Sequence, residues 1–196
     1  MNTIERLSII EQEINNHIDT CFRTLNTIIP SIERVSSLIV ECYKHQPRRK
    51  VILFGNGGSA SDCQHIAAEF TNRFSIEREP LPAISLTTDT STLTAISNDY
   101  NFNEIFRKQI SAIGQEGDIA IGISTSGTSK NVILALNKAK ELNIKTILLT
   151  GNININYDYD EIIKVESNTT ARIQEIHILI GHIICLLIDK EYEILK

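Results

Sequence analysis

Two polar groups on apolar helices stand out as candidates for chemistry. His65 and Glu69 lie four residues apart, so on a helix both side chains share one face, an arrangement that can hold a metal, move a proton or simply form a surface pair. Near the C-terminus, Gln174, His177 and His182 interrupt an apolar run. At about 100° per residue Gln174 and His182 sit about 80° apart and two turns distant, with His177 on the other side of Gln174. Periodicity does not choose between the two histidines, and a lone histidine in such a helix is more often a core residue than a ligand. A third group is a run of hydroxyls, Ser124, Thr125, Ser126, Thr128 and Ser129, around Gly127. At a helix start, hydroxyls and free backbone N–H groups suit a single phosphate monoester. One hydroxyl would be enough to cap the helix, so five favour the phosphate.

These groups need elements to hold them. The sequence predicts helical residues 4–44, with Leu7, Ile10, Ile14, Ile18, Phe22 and Leu25 as one apolar stripe, divided by Pro30 into two helices, the second over 31–43. Val51 to Phe54 is a continuous apolar run that ends in Gly55, Asn56, Gly57 and Gly58, as a buried strand entering a loop would. A helix over 59–74 follows. Further strands are predicted at 83–86, 118–123, 145–150 and 162–165, with helices at 90–97, 102–113, 130–142 and 170–190. Alternating strands and helices mean a parallel sheet covered on both faces. Five of the nine glycines fall in two loops, Gly55/Gly57/Gly58 and Gly122/Gly127, each at the carboxyl end of a strand, where open α/β sheets bind ligands.

Two common phosphate motifs are nearly matched and fail. Gly55, Gly57 and Ala60 fit G-x-G-x-x-A, but no acidic residue ends the next strand as ribose binding requires. Gly122 to Gly127 has Walker A spacing, but Thr128 stands where the lysine is needed. Neither a nicotinamide cofactor nor a nucleoside triphosphate is therefore expected.

Composition narrows the rest. The chain has 196 residues, enough for one domain, and its 35 isoleucines exclude intrinsic disorder. A net charge of -5 without a Lys/Arg cluster argues against nucleic acid. The four cysteines, Cys21, Cys42, Cys63 and Cys185, show no metal spacing and read as reduced thiols. No signal peptide is visible, and the apolar stretch 176–188 is too short to span a bilayer, so no membrane partner and a cytoplasmic location are expected.

Together, FGNGGSASDCQHIAAEF (54–70), TTDTSTLTAISNDY (87–100), GISTSGTSKN (122–131) and RIQEIH (172–177) resemble the phosphoheptose isomerase family of the sugar isomerase (SIS) superfamily, over nearly the whole chain. The resemblance implies a three-layer α-β-α sandwich around a five-stranded parallel sheet, flavodoxin-like or Rossmann-like. It implies a single SIS domain over 1–196, with residues 1–48 as a helical extension used in oligomer packing. Asn56, Gly57, Gly58, Asn98 and Asp99 would contact the sugar; Ser124, Thr125, Ser126 and Ser129 would hold the phosphate. Zinc-bound members use residues matching His65, Glu69, Gln174 and His182, which favours His182 over His177, and Glu69 and Gln174 would also meet the substrate. Glu69 and His182 would be the catalytic pair.

The resemblance further implies a cytoplasmic homotetramer with sites between subunits. Its reaction would convert D-sedoheptulose 7-phosphate to D-glycero-D-manno-heptose 7-phosphate for surface polysaccharides such as lipopolysaccharide or capsule. Two alternatives share the fold: a non-catalytic SIS protein that binds the replication initiator, and an isomerase of another sugar phosphate. The segment 152–160 departs from the family pattern, carrying alternating asparagines where a Gly-Gly turn is common.

Overall fold

A computed structural model describes residues 1–45, 47–154 and 156–194. Its frame is a sheet of five short strands: β1 (Val51–Gly55), β2 (Ala83–Ser85), β3 (Ile119–Ser124), β4 (Lys145–Thr150) and β5 (Glu161–Lys164). All pairings are parallel and the order is β2-β1-β3-β4-β5. Side chains of β1 alternate between faces: Val51 and Leu53 enter one core, Ile52 and Phe54 the other. The first core is closed by α1 (Thr3–Lys44), α2 (Gly58–Thr71) and α6 (Thr170–Ile194); the second by α4 (Ile105–Ile113) and α5 (Lys130–Glu141), with α3 (Thr90–Asp99) at its edge. The three-layer sandwich expected from the sequence is present.

Pro30 does not divide the N-terminal region. α1 runs unbroken over 42 residues, with Asn2 and Glu5 forming a reciprocal cap at its start and Pro30 inside it. A proline there costs about 3 kcal/mol through the lost backbone bond and ring clash, and burial on both sides of it offsets that. Ile28, Ile32, Val35 and Ile39 all pack into the first core. The N-terminal half differs: Leu7, Ile10, Ile14, Ile18, Phe22 and Leu25, the stripe that periodicity identified, are all exposed in the single chain.

Other boundaries shift by one to four residues. Gly55 and Gly122 lie within strands β1 and β3 rather than in loops. Gly122 is needed there because a Cβ would come within 2.8 Å of Val132 Cγ1 on α5. α6 reaches Ile194, and over Thr170–Glu193 it is long and apolar enough to cross a membrane by length and composition, which the shorter stretch 176–188 did not suggest. Its isoleucines 173, 176, 180, 184 and 188 are buried in the first core, and its Asp189 pairs with buried Arg78, so it is the core helix of this fold.

Candidate active site

Strand order reverses between β1 and β3, and the crevice outside the carboxyl ends at such a switch point is where α/β sheets bind ligands. Both glycine segments open into it. After β1, Gly57 takes a φ of 57° and caps α2, its carbonyl accepting from Ala60 N–H at 3.0 Å. That left-handed backbone favours glycine. Gly58 then begins α2 directly against Gln174: a Cβ on Gly58 would lie 2.5 Å from Gln174 Nε2. The glycine thus lets α6 bring its glutamine to the mouth of the first loop.

Further along α2, His65 Nε2 lies 3.1 Å from Glu69 Oε1 and 3.4 Å from His182 Nε2 on α6. Phe74 stacks on the His182 ring, with centroids 5.6 Å apart. α2 and α6 therefore gather His65, Glu69, Gln174 and His182 along one seam. His177 is elsewhere. It is fully buried, its Nε2 is 3.3 Å from the Thr150 carbonyl, and its Nδ1 has no partner among the described residues. Burial pushes its pKa down to about 4, against a smaller upward pull from Thr150.

That shift predicts an acid sensitivity. Between about 6.5 and 4 the unfolded chain binds a proton at His177 that the folded chain refuses, so stability falls as pH falls through that window, by about 3 kcal/mol in all. The urea midpoint should drop from pH 7 to pH 4.5 more steeply in the wild type than in His177→Leu; equal drops would exclude His177 as the cause.

After β3, the chain turns through Gly127 at a φ of 62°, its N–H bonding to the Ser124 carbonyl at 2.9 Å. The buried Ser124 hydroxyl lies 2.9 Å from Ser129 Oγ and 3.4 Å from Ser126 Oγ, and the Thr125 carbonyl accepts from Gly151 N–H at 3.1 Å. Ser129 occupies the N-cap of α5 without a side-chain bond to the helix. Its hydroxyl engages Ser124 instead of capping, so the hydroxyls converge on one another over the helix start. Asn98 and Asp99 end α3, exposed and bonded to each other at 3.0 Å; among the described residues no bond links them to the seam or to the hydroxyl loop.

Two neighbours escaped the sequence reading. Asp62, one turn before His65, has a buried Oδ2 without a partner among the described residues, and burial raises its pKa although His65 and His182 pull it down. Its position three residues before His65 was the available signal. Asn131 bonds reciprocally with Asn56, at 2.9 and 2.8 Å, across the switch point. Nothing in its immediate sequence marks that pairing.

Comparison with known proteins decides the family. A SIS domain model matches residues 13–151. Over 188 residues, 93% of this chain and 94% of the relative, the sequence is 47% identical to the phosphoheptose isomerase of Clostridium acetobutylicum. The chain belongs to the phosphoheptose isomerase family. The phosphoheptose isomerase of Aliarcobacter butzleri is 48% identical over 186 residues, 94% of this chain and 97% of that protein. Among solved structures, the phosphoheptose isomerase of Francisella tularensis superposes with a TM-score of 0.88 at 37% identity, covering 97% of this chain and all of its own. That of Neisseria gonorrhoeae gives 0.86 at 39%, covering 94% and 98%. As a phosphoheptose isomerase family member the protein is an enzyme of the sugar phosphate isomerase class, which sets aside the non-catalytic alternative.

Proposed function

We propose that this phosphoheptose isomerase interconverts D-sedoheptulose 7-phosphate and D-glycero-D-manno-heptose 7-phosphate in the cytoplasm, through an enediolate, for bacterial surface polysaccharide. The observation that carries the reading is a seam between α2 and α6 that brings together Glu69, His65 and His182 and whose Gln174 end meets Gly58 at the carboxyl edge of the sheet, where the hydroxyl loop of Ser124, Ser126 and Ser129 also lies. The seam offers a carboxylate and imidazoles for proton transfer; the hydroxyl loop offers neutral donors and a helix start for a phosphate.

In this reading Thr125 and the three serines hold the phosphate, while Asn56, Gly57, Gly58, Asn98 and Asp99 line the sugar. Glu69 takes a proton from C1 of the open-chain ketose and returns it to C2. His182, its ring held by the stacked Phe74, carries a proton between O1 and O2.

Zinc fits the donor chemistry. Imidazole and carboxylate are zinc donor types, and His65 Nε2 lies 3.4 Å from His182 Nε2 and 3.1 Å from Glu69 Oε1. Among the described residues no three His, Cys, Asp or Glu side chains stand ready around a common point, so the fit is one of donor type. His65, Glu69, Gln174 and His182 would hold the ion, and when bound it supplies polarisation of the carbonyl and its neighbouring hydroxyl. The exposed apolar half of α1 supports assembly as a homotetramer, since a contiguous apolar face on a soluble chain marks an association surface.

The test is turnover of sedoheptulose 7-phosphate followed by NMR, with and without added zinc, beside zinc analysis of the protein as purified. Aldose formation is expected; no turnover under either condition overturns the substrate. Activity on another phosphosugar alone would reassign the substrate within the same chemistry.

A further inference from the structure

The two loops that meet at the switch point are joined by one polar contact whose direction is fixed. Asn131, the second residue of α5, is buried, and its Oδ1 accepts the N–H of Val132 at 2.9 Å. Because only an oxygen can accept there, the amide of Asn131 has one possible orientation. That orientation passes to Asn56: Asn56 Nδ2 donates to Asn131 Oδ1 at 2.9 Å, and Asn131 Nδ2 donates to Asn56 Oδ1 at 2.8 Å. Asn56 keeps one N–H and one lone pair outside this exchange, whereas both lone pairs of Asn131 Oδ1 are taken, by Val132 N–H and Asn56 Nδ2. Asn56 is partly exposed at the end of β1, so its unused pair of groups is available to a ligand, and which is donor and which acceptor is already decided.

We propose that Asn131 is a positioning residue that fixes the amide of Asn56 for sugar recognition, so that the helix start carrying the phosphate end of the site also sets the hydrogen-bonding pattern at the sugar end. This role rests on the substrate reading above. It makes the two ends of the crevice one preorganised unit: Asn56 meets the substrate without first choosing a rotamer, and the entropy of that choice is spent in folding rather than in binding.

Substitution separates this role from simple packing. Asn131→Asp keeps the acceptor for Val132 N–H and for Asn56 Nδ2, but sets a carboxylate oxygen against Asn56 Oδ1. Rotating Asn56 by half a turn does not help, because one acceptor still faces another. Asn131→Ala removes both bonds.

The experiment is a double-mutant cycle of Asn131→Asp and Asn131→Ala with Asn56→Ala. It is read as the sedoheptulose 7-phosphate dissociation constant by calorimetry and as separate kcat and KM, with urea midpoints confirming folding. In the Asn56 background each Asn131 change should weaken binding and raise KM by about 3- to 10-fold, the range of one or two hydrogen bonds, with a smaller change in kcat. In the Asn56→Ala background the same changes should have less than about a 2-fold effect, since their target is gone. Equal losses in both backgrounds, or no loss in either, overturn the positioning role. If Asn131→Ala fails to fold, Asn131→Asp, which retains the helix contact, carries the comparison. A wild-type protein that neither binds nor converts sedoheptulose 7-phosphate overturns the substrate reading and this role with it; binding with an additive cycle overturns this role alone.

Discussion

Glu69→Gln should lower kcat for the heptose phosphate interconversion by about 10²–10⁴-fold, the usual contribution of a positioned general base. The change keeps the side chain's size and leaves an amide within reach of His65 Nε2, now 3.1 Å from the carboxylate. What it removes is the group that can accept a carbon-bound proton. Glu69 stands on α2, while the hydroxyl loop is built by β3, the Gly127 turn and α5, so the phosphate end should be untouched. Affinity for inorganic phosphate should therefore stay within about 2-fold of wild type, well below the change a single lost hydrogen bond to a charged group would produce. Turnover within 10-fold of wild type would remove Glu69 from the proton transfer. Loss of phosphate affinity alongside turnover would instead show that the substitution disturbs α2 as a whole.

The second large effect lies behind the site. Arg78 and Asp189 form a buried ion pair in which nearly every polar atom is used. Arg78 Nε donates to Asp189 Oδ1 at 2.7 Å, while its two terminal nitrogens donate to the carbonyls of Phe70 and Glu69 at 2.9 and 2.8 Å. Asp189 Oδ2 accepts the N–H groups of Ser75 and Ile76 at 2.7 and 3.1 Å. Burial pushes the Asp189 carboxyl up, but the Ser75 N–H, the guanidinium and the Ile76 N–H together outweigh it and hold the pKa below its ordinary value. Stability from this carboxylate is present above the unfolded carboxyl's pKa and is lost as pH falls below it. The pair bolts the last turn of α2, the segment after it and α6 together, and one of the carbonyls it holds belongs to Glu69 itself.

Arg78→Ala should cost about 3–5 kcal/mol in urea unfolding, because it leaves a buried carboxylate without its guanidinium and takes one donor from each of the Glu69 and Phe70 carbonyls, Phe70 keeping the Leu81 N–H. Asp189→Ala should fall in the same range. The double substitution Arg78→Met with Asp189→Leu should cost less than either alone, since no charge is then stranded. A loss below about 1 kcal/mol for Arg78→Ala, the level of an exposed pair, would show that the interior accommodates the lone carboxylate and that the pair is not what holds α2 to α6.

Much of this architecture could be read from residue order, and the limits have physical causes. The run Val51 to Phe54 followed by glycines announces a buried strand and its loop, because both faces of a covered parallel strand must be apolar. Pro30 misleads because local stereochemistry favours a break there, whereas the packing of Ile28, Ile32 and Val35 on either side favours continuity and wins. The choice between His177 and His182 depends on how α6 is rotated against α2 and the sheet. A helix period fixes angles between side chains and not the direction of any of them. The Asn56–Asn131 contact spans 75 residues and exists only because β1 and β3 are neighbours in the sheet. His65 and Glu69, by contrast, share one turn spacing, and their pairing was visible from the start.

The sheet ends on its two shortest strands. β2 has three residues and β5 four, and β5 carries Glu161 and Lys164 at its limits. Arg34 of α1 also grips Glu161, with Nε 2.6 Å from Oε2. Two short edges, one of them charged and clamped, present few free backbone groups in register, so a stray chain finds little template on which to add a strand. In a crowded cell the protein is thereby shielded from edge-to-edge aggregation, even though half of its longest helix is clothed in exposed isoleucine and leucine. Contact with other molecules is steered away from the backbone edges and towards helix faces, where side chains can discriminate between partners.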